Sequence, residues 1–277
     1  VLFDIDGVLR DVSASYRRAI LATVRHYSGW TPEPPAIDAL KGEGRWNNDW
    51  EASLELLRRH QRDGSSSSAA RSLPSLAELA EVFSGYYFGG DPNGPPADWQ
   101  GFIREERLLV DSDFFTDLSL AGLAWGFVSG AEPPSARFLL EERLGLSNPP
   151  LVAMGDAPEK PDPSGLLGLA ERLLGQWGHR LGAHCPPVVY VGDTVADVAT
   201  VRRARERHPE QRFLALAVSP PHLHGPDQRA QRLAYEHNLR AAGADHLLQT
   251  TGELRHQPET LLASLLARQP CGELGSP

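Results

Sequence analysis

Two aspartates spaced two apart, Asp4 and Asp6, follow directly on the apolar run that opens the chain, in "VLFDIDGVLRD". Ionised carboxylates beside a buried segment are costly unless they are paired or liganded. Three later apolar runs end in the same unusual way: Ser129 and Gly130 follow "AWGFV", Asp156 and Lys160 follow "LVAM", and Asp193, Thr194 and Asp197 follow "PVVYVG". If these ends converge, Asp4, Asp6, Asp193 and Asp197 form an oxygen-rich cluster that suits a hard divalent cation such as Mg2+, which keeps waters that phosphate oxygens can replace. Lys160 adds a positive point charge, and apart from Lys41 it is the only lysine among 27 basic residues.

Convergence requires elements that bring the ends together. The runs at residues 1–4, 124–129, 151–154, 187–193 and 213–219 are short and almost continuously apolar, as strands of a parallel sheet covered on both faces must be. Helical spacing predicts helices near residues 134–144, 163–177, 196–207, 227–242 and 258–268, so the fold class reads as α/β with a Rossmann-like parallel sheet. In such sheets the ligand crevice lies outside the carboxyl ends of the strands at the switch in strand order. The interval between the first two strands breaks the rhythm. It is too long for a connection and reads as helical in "WEASLELLRRH", "LPSLAELAEVFSGYYF" and "DWQGFIREERLLV". The expected organisation is a discontinuous core of residues 1–11 and 121–268, an inserted helical cap of residues 12–120 with loops at "TPEPP", "RDGSSSSAARS" and "GGDPNGPP", and a flexible tail of residues 269–277.

Composition bounds the partners. A chain of 277 residues with 41% hydrophobic content can bury a sizeable core. A net charge of -9 argues against nucleic acid, and Arg58, Arg59 and Arg62 form only a short cluster, not a basic stripe with interleaved aromatics. No apolar run approaches a membrane span. Only Cys185 and Cys271 are present, without a partner motif, which points to a reducing compartment. The first apolar run reaches carboxylates after three residues, unlike a signal peptide, so the cytoplasm is the expected location. The expected state is a monomer or weak homodimer. His222 and His224 sit among Pro and Gly and read as a loop rather than a metal site.

With "FDIDGV", "FVSG", "EKPDP" and "VGDTVAD" in this order, the chain resembles the haloacid dehalogenase-like hydrolase superfamily, in its phosphatase branch with an inserted helical cap (subfamily IA-like, C1 cap). The resemblance covers nearly the whole chain. It implies that Asp4 attacks phosphorus and becomes a transient aspartyl-phosphate, and that Asp6 first protonates the leaving oxygen and then activates water. It also implies that Asp4, the Asp6 backbone carbonyl and Asp193 hold Mg2+, with Asp197 a further ligand or an outer anchor. Ser129, Lys160 and backbone N–H groups near Gly7 would stabilise the transferred phosphate oxygens, with Gly7 and Gly130 permitting close approach. For Asp197 a helix N-terminal role stays open, as does a capping role for Ser129.

The organic part of the substrate should meet the cap. In "DALKGEGRWNNDW", Lys41, Arg45, Asn47 and Asn48 offer donors that a closing cap would bring over phosphorus, while a helix-to-helix loop with an Asn or Asp cap explains the same residues. Arg10 is placed to meet a carboxylate or sugar hydroxyl of the substrate, or to lie solvated at the hinge. These residues favour a small polar phosphorylated metabolite and leave phosphoglycolate, a sugar phosphate and a histidine-pathway intermediate equally open. A phosphomutase, a phosphonate hydrolase using Lys41 as a Schiff base, and a non-catalytic phosphometabolite-binding protein are the competing readings.

Overall fold

The computed structural model describes residues 1–43, 45–46, 48–63, 72–256 and 258–268. The predicted 269–277 tail and most of the Ser-rich loop lie outside them. The chain divides into two units: residues 1–10 with 108–277, and residues 11–107.

The first unit is a doubly wound α/β core. Its sheet is formed by β1 (Leu2–Phe3), β4 (Gly126–Val128), β5 (Leu151–Val152), β6 (Val188–Gly192), β7 (Phe213–Val218) and β8 (His246–Leu248), in the order β5-β4-β1-β6-β7-β8. Every recorded pairing is parallel, with Leu2 opposite Gly126 on one side and Tyr190 on the other. The order reverses around β1, which puts the carboxyl ends of β1, β4 and β6 side by side. Three strands not anticipated are short: β8 spans only three residues, half-buried at His246 and Leu247 and buried at Leu248, while β2 (Arg10–Asp11) and β3 (Arg107–Leu108) form a separate two-stranded sheet.

Alternation along the strands splits the core into two apolar layers. Phe3, Phe127, Val189 and Val191 pack with Phe114, Phe115 and Leu118 of α5 (Asp113–Leu120) and Leu139 and Leu140 of the α6 segment (Pro133–Arg137, continued as a π-helical turn over Phe138–Arg143). Leu2, Val128, Val188 and Tyr190 pack with α7 (Ser164–Gly175) and α8 (Val195–Arg207) on the other face. Helices α9 (Arg229–Ala242) and α10 (Pro258–Arg268) complete the core. Residues 108–120, grouped with the insertion on sequence, lie in the core unit, because the aromatic face of α5 is edge-packed on Phe3, with ring centroids 5.7 and 5.8 Å apart.

The second unit is helical: α1 (Tyr16–Ser28), α2 (Pro34–Gly42), α3 (Asp49–Arg62) and α4 (Leu76–Phe88). Tyr16 stacks on Tyr87 with centroids 4.1 Å apart, and the buried Glu106 accepts from Ser15 Oγ (2.7 Å) and Tyr87 OH (2.9 Å). The predicted helix through "DWQGFIREERLLV" is replaced by 3-10 turns at Pro96–Asp98 and Phe102–Glu105 and by β3. Gly101 causes this: its N–H donates to Phe88 O (2.7 Å), and a Cβ there would lie 2.3 Å from Tyr87 O. The backbone contact with the end of α4 overrides the helical spacing. The Arg58, Arg59 and Arg62 cluster is bound to Glu55, with Arg59 also on Glu43, so it is an internal charge network of this unit.

Candidate active site

The carboxyl ends of β1, β4 and β6 carry Asp4, Ser129 and Asp193, all buried. Strand pairing fixes their heights: Asp4 N donates to Val191 O (2.8 Å) and Ser129 N to Val152 O (2.9 Å). After β1 the chain turns at Gly7, whose φ of 75° lies in the left-handed region. A Cβ at Gly7 would sit 2.1 Å from Asp193 Oδ2, so the glycine lets the first loop lie directly against the Asp193 carboxylate.

Lys160 joins the strand ends. Its Nζ lies 3.1 Å from Asp4 Oδ1 and 2.7 Å from Asp197 Oδ1, and donates to Tyr190 OH at 3.2 Å. Asp197 is held from both sides. Its Oδ2 accepts from Thr194 N (2.9 Å) and Thr194 Oγ1 (2.6 Å) in the capping box that starts α8, while Oδ1 faces Lys160 and Tyr190 OH (3.2 Å). Tyr190 in turn donates to Val128 O (2.7 Å), tying β6 to β4 beneath the site.

Charge in this cleft is unevenly balanced. Burial, with the neighbouring Asp197 and Asp6, outweighs Lys160 and pushes the Asp4 carboxyl up to about 7. Burial, reinforced by Asp197 and Asp4, pushes Asp193 well above the usual carboxylate range. Burial also works against ionising Asp197, but Lys160 and the Thr194 hydrogen bonds prevail and hold it below its ordinary value. Lys160 behaves as the mirror image: burial disfavours its charge, and Asp197 and Asp4 hold the ammonium well above its usual range.

Among the described residues, Asp4, Asp193 and Asp197 form a group whose ligand atoms lie within 4.8 Å of one another. The donor set is all oxygen, Asp4 Oδ1 is buried and accepts no hydrogen bond despite its contact with Lys160, and two of the three carboxyls resist ionisation without further positive charge. These features fit a hard divalent cation. Both Asp197 oxygens are already engaged, which leaves Asp4 and Asp193 as the carboxylates with capacity to spare.

Asp6 is a quarter exposed, and its Oδ1 accepts from Arg10 Nε at 2.6 Å. Arg10, expected at the substrate, is instead fully buried: the Ile5-to-Arg10 turn folds it back under Asp6, where it also reaches Ser135. Ser129 Oγ accepts from Ala131 N (3.2 Å), and Gly130 is exposed beside it. Lys41, Arg45 and Asn48 belong to the second unit. Lys41 pairs with Asp49 (2.5 Å), exposed Arg45 contacts Glu43 (3.4 Å), and Asn48 Oδ1 caps α3 by accepting from Trp50 N and Glu51 N. Asn47 lies outside the described residues. Tyr190 and Ser135 were missed on sequence. Tyr190 left one trace, a polar tip in an otherwise apolar strand, whereas Ser135 in "EPPSAR" left none. His224 Nε2 contacts Ser219 O (3.0 Å) and its Nδ1 faces Arg232 (3.4 Å), an arrangement in keeping with a structural loop.

Comparison with known proteins places this arrangement. A haloacid dehalogenase-like hydrolase family model matches residues 1–205. An imidazoleglycerol-phosphate dehydratase from Phytophthora nicotianae is 31% identical over 206 residues, covering 74% of this chain, while the chain spans only 41% of that protein's length. Among solved structures, a phosphonoacetaldehyde hydrolase-like protein from Oleispira antarctica superposes with a TM-score of 0.67 at 18% identity, over 96% of this chain and 92% of that one. A hydrolase from Pseudomonas syringae gives 0.61 at 16%, over 94% and 97%, and a phosphatase from Thermococcus thioreducens 0.53 at 22%, over 77% and 91%. At these identities the structures share the fold. No helix among the described residues is long and apolar enough to cross a membrane. With its four strand-end motifs on one parallel sheet and a family match over most of its length, the chain belongs to the haloacid dehalogenase-like hydrolase family.

Proposed function

We propose that the protein is a Mg2+-dependent phosphomonoesterase that hydrolyses a small polar phosphorylated metabolite through an aspartyl-phosphate on Asp4. The observation that carries this reading is the placement of Lys160 between Asp4 and Asp197, beside Asp193, with Asp6 two residues beyond Asp4. Asp4 and Asp193 would hold the metal, which supplies positive charge that favours ionised Asp4 and draws in the phosphate. Asp4 attacks phosphorus as the ester P–O bond breaks, and Asp6 gives its proton to the departing oxygen. Water then attacks the phosphorus of the acyl phosphate while Asp6 takes a proton back, releasing phosphate and restoring Asp4. Lys160, Ser129 and the N–H groups of the first loop would meet the equatorial oxygens. Asp197 would act through Lys160 and the α8 cap.

The competing readings fare less well. A Schiff-base phosphonate hydrolase needs an available amine, and Lys41 is tied to Asp49. A mutase would use the same core and differ in retaining the phosphoryl group. Purified protein is to be screened for phosphate release from phosphorylated metabolites with Mg2+ and with EDTA, including phosphoglycolate, sugar phosphates and the imidazoleglycerol phosphate named in the curated relative. Hydroxylamine trapping tests for the acyl phosphate. Release that needs Mg2+ and disappears in Asp4→Asn supports the proposal. Net transfer between substrate positions without phosphate release would make the protein a mutase, and no turnover at all would leave a binding protein.

A further inference from the structure

Arg10 is a guanidinium with no exposed surface, in contact with the most exposed of the site carboxylates, Asp6. Burying such a group costs several kcal/mol unless its donors are matched. Its recorded partners are specific: Nε donates to Asp6 Oδ1 at 2.6 Å, NH2 to Ser135 Oγ at 2.8 Å and NH1 to Ser135 O at 3.4 Å. Ser135 is itself fully buried on α6, the helix that follows Ser129 and Gly130. The loop carrying Arg10 is tight and fixed. Leu9 N donates to Ile5 O (2.8 Å), Gly7 N to Arg10 O (2.9 Å), and Thr251 Oγ1 to Val8 O (2.7 Å). Arg10 thus connects the second strand-end motif to the side chain of Asp6, entirely within the core unit.

A guanidinium presents its donors in a rigid plane, so an Nε–H bond fixes both the position and the tilt of the carboxylate that accepts it. Asp6 Oδ1 is thereby held by the Arg10 guanidinium, while the Asp6 side chain keeps about a quarter of its surface exposed. We infer that Arg10 is a positioning residue for Asp6, holding its carboxyl group in the orientation from which it serves the leaving oxygen and the attacking water, and that it does not touch the substrate. This inference rests on the phosphatase reading above.

The test is a double-mutant cycle with Arg10→Met and Asp6→Asn, read on p-nitrophenyl phosphate, whose leaving group needs little protonation, and on glycerol phosphate, whose leaving group needs it. Arg10→Met is expected to lower kcat on glycerol phosphate by about tenfold or more, to leave KM within about twofold, and to change the burst of p-nitrophenol much less. In the double variant the loss should be no greater than in Asp6→Asn alone. Losses that multiply would show that Arg10 acts independently of Asp6 and overturn the proposal. So would a rise in KM at constant kcat, which marks a substrate contact, or a lowered Tm with kcat per folded molecule unchanged, which marks a purely structural role. If Arg10→Met does not fold, Ser135→Ala removes the anchor of the guanidinium instead. It should show the same leaving-group dependence to a smaller degree, and an unchanged ratio between the two esters overturns the inference. A wild-type protein inactive on every ester in the presence of Mg2+ overturns the phosphatase reading itself, a failure visible without any variant.

Discussion

Burial lifts the Asp4 carboxyl to about 7, so the residue proposed to attack phosphorus resists ionising until positive charge joins Lys160 beside it. Asp4→Asn is expected to reduce phosphate release to background. Because the amide need not ionise in the cleft, metal-free Tm at pH 7.5 should be no lower than that of the wild type; a Tm well below it would show that the Asp4–Lys160 contact is a structural necessity. Asp197 is the opposite case, since its charge is matched on both sides. Asp197→Asn leaves Lys160 without its nearest anion, and breaking a buried pair of this kind costs about 3 kcal/mol. Urea denaturation should show that loss, together with a kcat lowered by more than tenfold as the ammonium goes adrift. Asp4 and Asp193 were legible from sequence because an ionic residue closing an apolar strand needs a reason, and Lys160 because it is one of only two lysines and follows another such strand within the same chain rhythm. The burial of Arg10 against Asp6 and Ser135 was not legible, because its position next to the motif says nothing about the direction of its side chain.

Short elements do the positioning. Strand β1 has two residues, yet its neighbours β4 and β6 fix the height of Asp4 through pairings with Gly126, Phe127, Tyr190 and Val191. The turn after it depends on Gly7, where any side chain would meet Asp193 Oδ2 and would have to adopt a left-handed backbone. Gly7→Ala is therefore expected to lose activity through displacement of Asp193, with apparent affinity for Mg2+ weakened at least about tenfold in a titration of activity against metal, since a misplaced ligand is felt directly in binding. An unchanged metal dependence would sink this account of the glycine. Periodicity located the apolar strands and most helices to within a few residues because they are buried on regular faces. It failed at residues 98–110, where contact between Gly101 and the end of α4 outweighs helical spacing, and it passed over β8 because three residues, two of them only half-buried, carry no period.

For the whole molecule, the cleft couples acidity to stability. Asp4 and Asp193 hold protons more tightly when folded than when unfolded, so the Asp4 contribution to stability falls as pH rises from about 4 towards 7 and the Asp193 contribution falls in the same direction. Asp197 works in the other direction, and its contribution is lost only as pH falls through its depressed value. In EDTA, Tm is therefore expected to drop between pH 5 and pH 7.5. Added Mg2+ should raise Tm more at pH 7.5 than at pH 5, because protons compete with the metal for the same oxygens. An equal shift at both pH values, or none, would count against a metal on Asp4 and Asp193. The sequence of the second unit was legible as an insertion by its length and helical spacing, but not in its polar contacts. Asn48 was a candidate donor and is a helix cap, as that reading had also allowed.

The capping box of Thr194 and Asp197 has one further consequence. The carboxylate that begins α8 is the same one that grips Lys160, so helix initiation and alignment of the ammonium are a single event. The Lys160–Asp197 pair is thus set as soon as the first turn of α8 has formed. Hydrogen exchange at the first turn of α8 should then report on the integrity of the catalytic cleft even in protein that has never met a substrate.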